Sequence, residues 1–175
     1  MKKISDIHAI KIILFITACY VGLWSIRIPT IKDQLLTDYI GVGYIMLTFA
    51  TGSIVAMIFS NSLILKTSTK KILTFTLIAE GCLWLPVPFI SELWVFMIFS
   101  FIFGMSYGAF EIACNVYASN VEIREKKSMM SGFHAFWSLG VLVGSVITSL
   151  MLEWNYSFIF NILLYVIILL PLSLF

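Results

Sequence analysis

The sequence predicts an all-α membrane protein of about six transmembrane helices, on the strength of its composition, its apolar runs and the placement of its basic residues. Of 175 residues, 61% are hydrophobic and 11% charged, against roughly 45–50% and about 25% in soluble domains. A soluble domain of about 150 residues buries only about 68–70% of the surface its chain exposes, too little to hide this much apolar side chain. Six stretches can cross about 30 Å of hydrocarbon at about 1.5 Å per residue. They lie at about 12–27, 41–65, 72–90, 93–118, 129–152 and 156–175, and make one unit over 1–175.

The first run follows Met1-Lys2-Lys3, which resembles a signal peptide, but five further spans favour an uncleaved helix. Pro29 to Asp38 is expected to separate it from the second span. Lys66 to Lys71, Ser91-Glu92, Asn120 to Ser128 and Glu153 to Asn155 punctuate the remaining joins. Lipid offers the backbone no hydrogen-bond partners, so each run is expected to be a helix. The alternation over segments of about ten residues that marks a membrane barrel is absent.

Basic residues set the orientation. With the N-terminus inside, Lys2, Lys3, Lys11, Lys66, Lys70, Lys71, Arg124, Lys126 and Lys127 fall on the inner side, and only Arg27 and Lys32 on the outer. That asymmetry predicts both termini in the cytoplasm. Trp24, Trp94 and Trp154 fit an outer aromatic belt, and most other aromatics are expected to face lipid. The net charge of +2, without a basic cluster, excludes a nucleic-acid partner. Cys19, Cys82 and Cys114 have neither metal-ligand nor disulfide spacing and read as packing residues. No metalloprotease, nucleophile-elbow or phosphate-loop motif occurs, so neither an enzyme nor a cofactor is expected.

Ionisable groups inside hydrocarbon cost about 2.5–3.5 kcal/mol each on insertion scales, so each needs a reason. Gly104, Gly108, Glu111 and Asn115 share one face of the fourth span. The two glycines permit close approach of a backbone or a ligand. His134 shares a face of the fifth span with Ser138, Ser145 and Thr148. Glu111 and His134 flank a short loop, both roughly 10 Å deep, and are expected to be neighbours. A packing role remains the alternative for each. Glu80 has only Thr76 and Trp84 on its face and reads as a protonated, hydrogen-bonded packing residue. The Gly140–Gly144 pair reads as helix packing.

Three segments carry a family resemblance. Trp24-Ser25-Ile26-Arg27-Ile28-Pro29-Thr30-Ile31-Lys32-Asp33-Gln34-Leu35 resembles the end of helix one in a bacterial branch of the major facilitator superfamily. Met130-Ser131-Gly132-Phe133-His134-Ala135-Phe136-Trp137-Ser138-Leu139-Gly140, continuing to Gly144, is similar to helix five of that branch. Glu111-Ile112-Ala113-Cys114-Asn115-Val116-Tyr117 is similar to the helix-four motif of fucose:proton symporters. The resemblance implies one half of a major facilitator fold, two inverted three-helix repeats, in a bacterial inner membrane. It also implies Glu111 as the proton-coupling carboxylate, with Asn115 and His134 facing a small polar solute such as a sugar. Arg27 would anchor the outer end of helix one and contribute to the solute site.

Two departures accompany the resemblance. The superfamily's gating loop between helices two and three usually reads G-x-x-x-D-R-x-G-R-R. Asn61 to Lys71 keeps Lys66, Lys70 and Lys71, but Ser68 replaces the second glycine and Leu65 the aspartate. The fifth span also lacks the Gly-Pro pair of drug:proton antiporters. The sequence given stops within the sixth span, at Leu174-Phe175, so a truncated transporter is expected. A separate C-terminal six-helix half or a second copy would then complete it. The competing expectation is a transport-inactive membrane remnant or interaction module.

Overall fold

A computed structural model describes residues 5–172. Six α-helices follow in order: α1 (Asp6–Gln34), α2 (Tyr39–Lys66), α3 (Thr69–Trp84), α4 (Leu93–Glu125), α5 (Met130–Glu153) and α6 (Phe158–Leu172), with a 3-10 turn at Val87–Phe89 after α3. Five are long and apolar enough to cross a membrane, and Phe158–Leu169 of α6 is a shorter apolar helix. The described residues contain no strand. Met1, Lys2, Lys3, Leu174 and Phe175, which carry part of the charge pattern and the expected terminus, lie outside them.

Several helices overrun their expected ends. α1 continues through Pro29 to Gln34, where a loop was expected from Pro29. A proline removes one backbone donor, which a spanning helix tolerates when its neighbours re-satisfy the freed groups. α1 finally stops before Leu36, which takes a left-handed conformation with φ 48°. α4 continues to Glu125, past the loop expected from Asn120, and closes on the left-handed Lys126. Ser68 caps α3 by accepting a hydrogen bond from Lys71 N–H, a use for the serine that replaces the motif glycine. The Glu122 carboxylate accepts hydrogen bonds from the N–H groups of Met129 and Met130 and so caps α5.

The bundle is built on two intimate helix pairs, α1 with α5 and α2 with α4, while α3 packs on α4 and α6. Small residues let the paired backbones touch. A Cβ on Gly104 or Gly108 would lie under 3 Å from the α2 backbone at Phe49 or Ser53. On Gly144 it would meet Cys19, and on Gly140 the Phe15 carbonyl oxygen. The partners reciprocate, since Gly22 abuts α5 and Gly52 abuts α4. The glycine face of α4 therefore approaches a backbone and not a ligand. Exchanging α1 with α4, α2 with α5 and α3 with α6 converts the first pair into the second, the relation expected of two three-helix repeats.

Polar ties secure the outer helices. Arg27 is buried, donating from Nε to Asn161 Oδ1 at 3.0 Å and from a terminal nitrogen to the Tyr156 carbonyl at 3.2 Å. Thr148 and the Gly144 carbonyl both bond the Tyr165 hydroxyl, at 2.9 and 2.6 Å. α1 and α4 are about 43 and 50 Å long at about 1.5 Å per residue, so their ends project beyond the hydrocarbon. At one such end the Tyr117 hydroxyl donates to Asp6 at 2.6 Å, Arg124 pairs with it at 2.8 Å and Lys70 at 3.5 Å. The hydrogen bond from Tyr117 does most to hold the Asp6 carboxyl at about 2, against the opposing effect of burial and with help from Arg124 and Lys70.

Candidate functional site

Two adjoining cavities among the described residues share two walls, Tyr107 and Trp137. The first encloses about 190 Å³ between α1, α4 and α5, with Glu111, Asn115, His134, Tyr107, Trp137 and Leu14 among its lining residues. α4 presents Glu111 and Asn115 one turn apart, and α5 presents His134 in its second turn. Glu111 is half-buried, while Asn115 and His134 open onto the bundle surface. The geometry thus brings together three of the four residues picked out by sequence. Such a cluster can exchange a proton at the carboxylate and offer both donors and acceptors to a solute.

Arg27 is the fourth, and it lines neither cavity. Its guanidinium is taken up by Asn161, the Tyr156 carbonyl and the Phe158 ring, 5.3 Å from its centroid. The rest of the His134 face also disperses. Ser138 donates to the His134 carbonyl, the backbone of Ser145 lies against Gly22, and Thr148 bonds Tyr165. The Ser138 and Thr148 hydroxyls are thus spent within the protein.

The second cavity encloses about 270 Å³ and is walled mainly by aromatic rings. Tyr20 and Trp24 come from α1, Trp84 from α3, Tyr107 from α4 and Trp137 from α5, around the carboxyl group of Glu80. Tyr20 and Trp84 stack with centroids 6.0 Å apart and planes 13° apart, and Phe103 meets Trp84 edge-on at 5.7 Å. Glu80 is 6% exposed, and its carboxyl group lies within hydrogen-bonding reach of the Thr17 hydroxyl of α1. The buried Tyr20 hydroxyl and Trp84 Nε1 have no hydrogen-bond partner among the described residues.

This chamber corrects one expectation. Glu80 is buried, as its packing reading expects, and it also lines the cavity. Trp24 is not a belt residue, because it turns inward against Trp84 and Phe96, whereas Trp94 and Trp154 are 64% and 65% exposed. A signal was present in the sequence. Tyr20–Trp24, Glu80–Trp84 and Phe103–Tyr107 are each four residues apart, placing both members on one face of three different helices. That the three faces converge could not be read from spacing.

The family model of the Major Facilitator Superfamily matches residues 12–175, so the chain belongs to that superfamily. It is 29% identical over 128 residues to an uncharacterized transporter of Sinorhizobium fredii, covering 71% of this chain and 33% of that protein. It is 27% identical over 145 residues to an uncharacterized MFS-type transporter of Yersinia pestis, covering 81% and 37% respectively. The chain therefore spans about a third of the length of the curated relatives it matches. No solved structure matches it. The fold and the family together define a multi-pass membrane protein of the Major Facilitator Superfamily.

Proposed function

We propose that this chain is the N-terminal six-helix bundle of a secondary transporter that moves a small polar solute together with protons. One observation carries the reading: Glu111, Asn115 and His134, on two helices, line one cavity that opens on the bundle surface. Hydrocarbon would penalise that surface, whereas a water-filled path against a second bundle would not. In this scheme Glu111 carries the proton, and Asn115 and His134 contact the solute. The likeness of the helix-four motif to fucose:proton symporters supports a sugar. Arg27 serves the fold by tying α1 to α6. The partner bundle is a C-terminal half or a second copy of this chain, and the setting is a bacterial inner membrane.

The test pairs this chain with a complementary C-terminal bundle in vesicles and measures uphill uptake and counterflow together. Glutamine mimics the protonated acid, so Glu111→Gln is expected to keep counterflow and lose proton-driven accumulation. His134→Ala is expected to weaken solute affinity or shift its pH dependence. Unimpaired accumulation by Glu111→Gln would return Glu111 to a packing role. Failure of every pairing to transport would favour the second reading, a transport-inactive remnant or interaction module.

A further inference from the structure

The chamber around Glu80 carries a finer statement about what the protein binds. Glu80 lies about eight residues into its span, roughly 12 Å deep. A carboxyl group at that depth is costly unless something compensates it. No lysine or arginine lines the cavity to supply a counter-charge. Around it stand the faces and edges of Tyr20, Trp24, Trp84 and Trp137, whose ring faces carry negative electrostatic potential. Carboxylate and rings attract the same kind of ligand. The buried Tyr20 hydroxyl and Trp84 Nε1–H add two donors without acceptors, which a hydroxyl or ether oxygen on that ligand would satisfy.

We propose that the aromatic chamber between α1, α3 and α4 is a binding site for a small organic ammonium ion, held by Glu80 beneath Tyr20, Trp24 and Trp84. The cationic head sits against the carboxyl group and the rings, and a polar tail reaches Tyr20 and Trp84. A metal ion fits less well, since among the described residues no three His, Cys, Asp or Glu side chains cluster to hold one. A neutral sugar would stack on the rings but leave the carboxyl group without a counter-charge. Tyr107 and Trp137 line this chamber and the Glu111 cavity alike, so the ammonium site adjoins the proposed coupling group. The inference rests on the transport reading only in making this ligand the solute, and binding can be tested without transport.

The experiment titrates the purified chain in lipid nanodiscs with choline, following tryptophan fluorescence, and repeats the titration with 3,3-dimethylbutan-1-ol. That alcohol has the same shape with carbon in place of the charged nitrogen. Saturable quenching by choline is expected, with affinity at least tenfold higher than for the alcohol. Glu80→Gln should weaken choline binding at least tenfold, and Trp84→Phe severalfold. Trp94→Phe, on the exposed surface, should leave it unchanged. Should Glu80→Gln fail to fold, the comparison of choline with its neutral isostere on the parent chain still decides. Equal binding of the two, unchanged affinity in a folded Glu80→Gln, or preference for a neutral monosaccharide would overturn the proposal. Choline binding without uptake would leave the site standing and count against the transport reading instead.

Discussion

Asp6 shows how one residue joins helices distant in sequence. It belongs to the first turn of α1, where a negative charge suits the helix dipole. Its carboxylate then gathers Tyr117 and Arg124 from α4 and Lys70 from α3. Lys70, in the first turn of α3, is one of the basic residues between Asn61 and Lys71, so that segment still holds a charge contact with α1. The Asp6 carboxyl is held at about 2, below its ordinary value near 3.8. Its folded-state pKa is depressed, so the stability it contributes is full above pH 4 and is lost as pH falls from about 4 to about 2. Because Arg124 is half-exposed, the effect is modest. Thermal unfolding in detergent should therefore show the parent losing more stability than Asp6→Asn between pH 5 and pH 3. Parallel losses would mean the cluster is stabilised by something other than this charge.

At the scale of the helices, glycine decides the pairing. Gly144 lets α5 rest on the Cys19 backbone, and Gly108 lets α4 rest on Ser53. Without a hydrophobic difference between lipid and side chain, such contacts, with interhelical hydrogen bonds, hold membrane helices together. Ser53 adds one, donating to the Gly104 carbonyl at 2.9 Å. A side chain on Gly144 would collide with backbone, so Gly144→Val should destabilise the bundle by about 1–3 kcal/mol, as overpacking does. Gly132 has open space where its Cβ would be, so Gly132→Ala should be neutral or stabilising by up to about 1 kcal/mol. Melting temperatures of the two variants in one detergent separate these outcomes. Equal effects would show that the close approach on α5 is not what fixes the pair.

For the molecule as a whole, two expectations concern its setting. The basic residues Lys66, Lys70, Lys71, Arg124, Lys126 and Lys127 lie at the ends joined by the Asp6 cluster and the α4–α5 loop. Reporter fusions after Lys71 and Lys127 should therefore be cytoplasmic, and fusions after Asp38, Glu92 and Glu153 periplasmic. A cytoplasmic signal at Glu92 would break the six-span topology. The second expectation is that this 175-residue chain, reconstituted by itself, shows no gradient-driven accumulation. Alternating access requires one bundle to rock against another. Robust uptake by the purified chain would indicate that two copies assemble the path.

The amino-acid sequence alone determined the membrane fold, because about 20 apolar residues in succession have few other stable environments. It also carried the family likeness and the expectation that Glu111 and His134 lie at similar depth across a short loop, and both line one cavity. Periodicity identified the faces bearing Gly104–Gly108 and Gly140–Gly144, but spacing could not say whether a backbone or a ligand approached them. Only the tertiary structure supplied α2 and α1 as the answer. It alone turned Trp24 inward, withdrew Arg27 toward Asn161 and set Glu80 inside a ring of aromatics. The physical reason is that a helix's own period fixes which residues share a face, whereas what that face meets depends on helices distant in sequence. A lone acid on α3 became a candidate site only when α1, α4 and α5 closed around it.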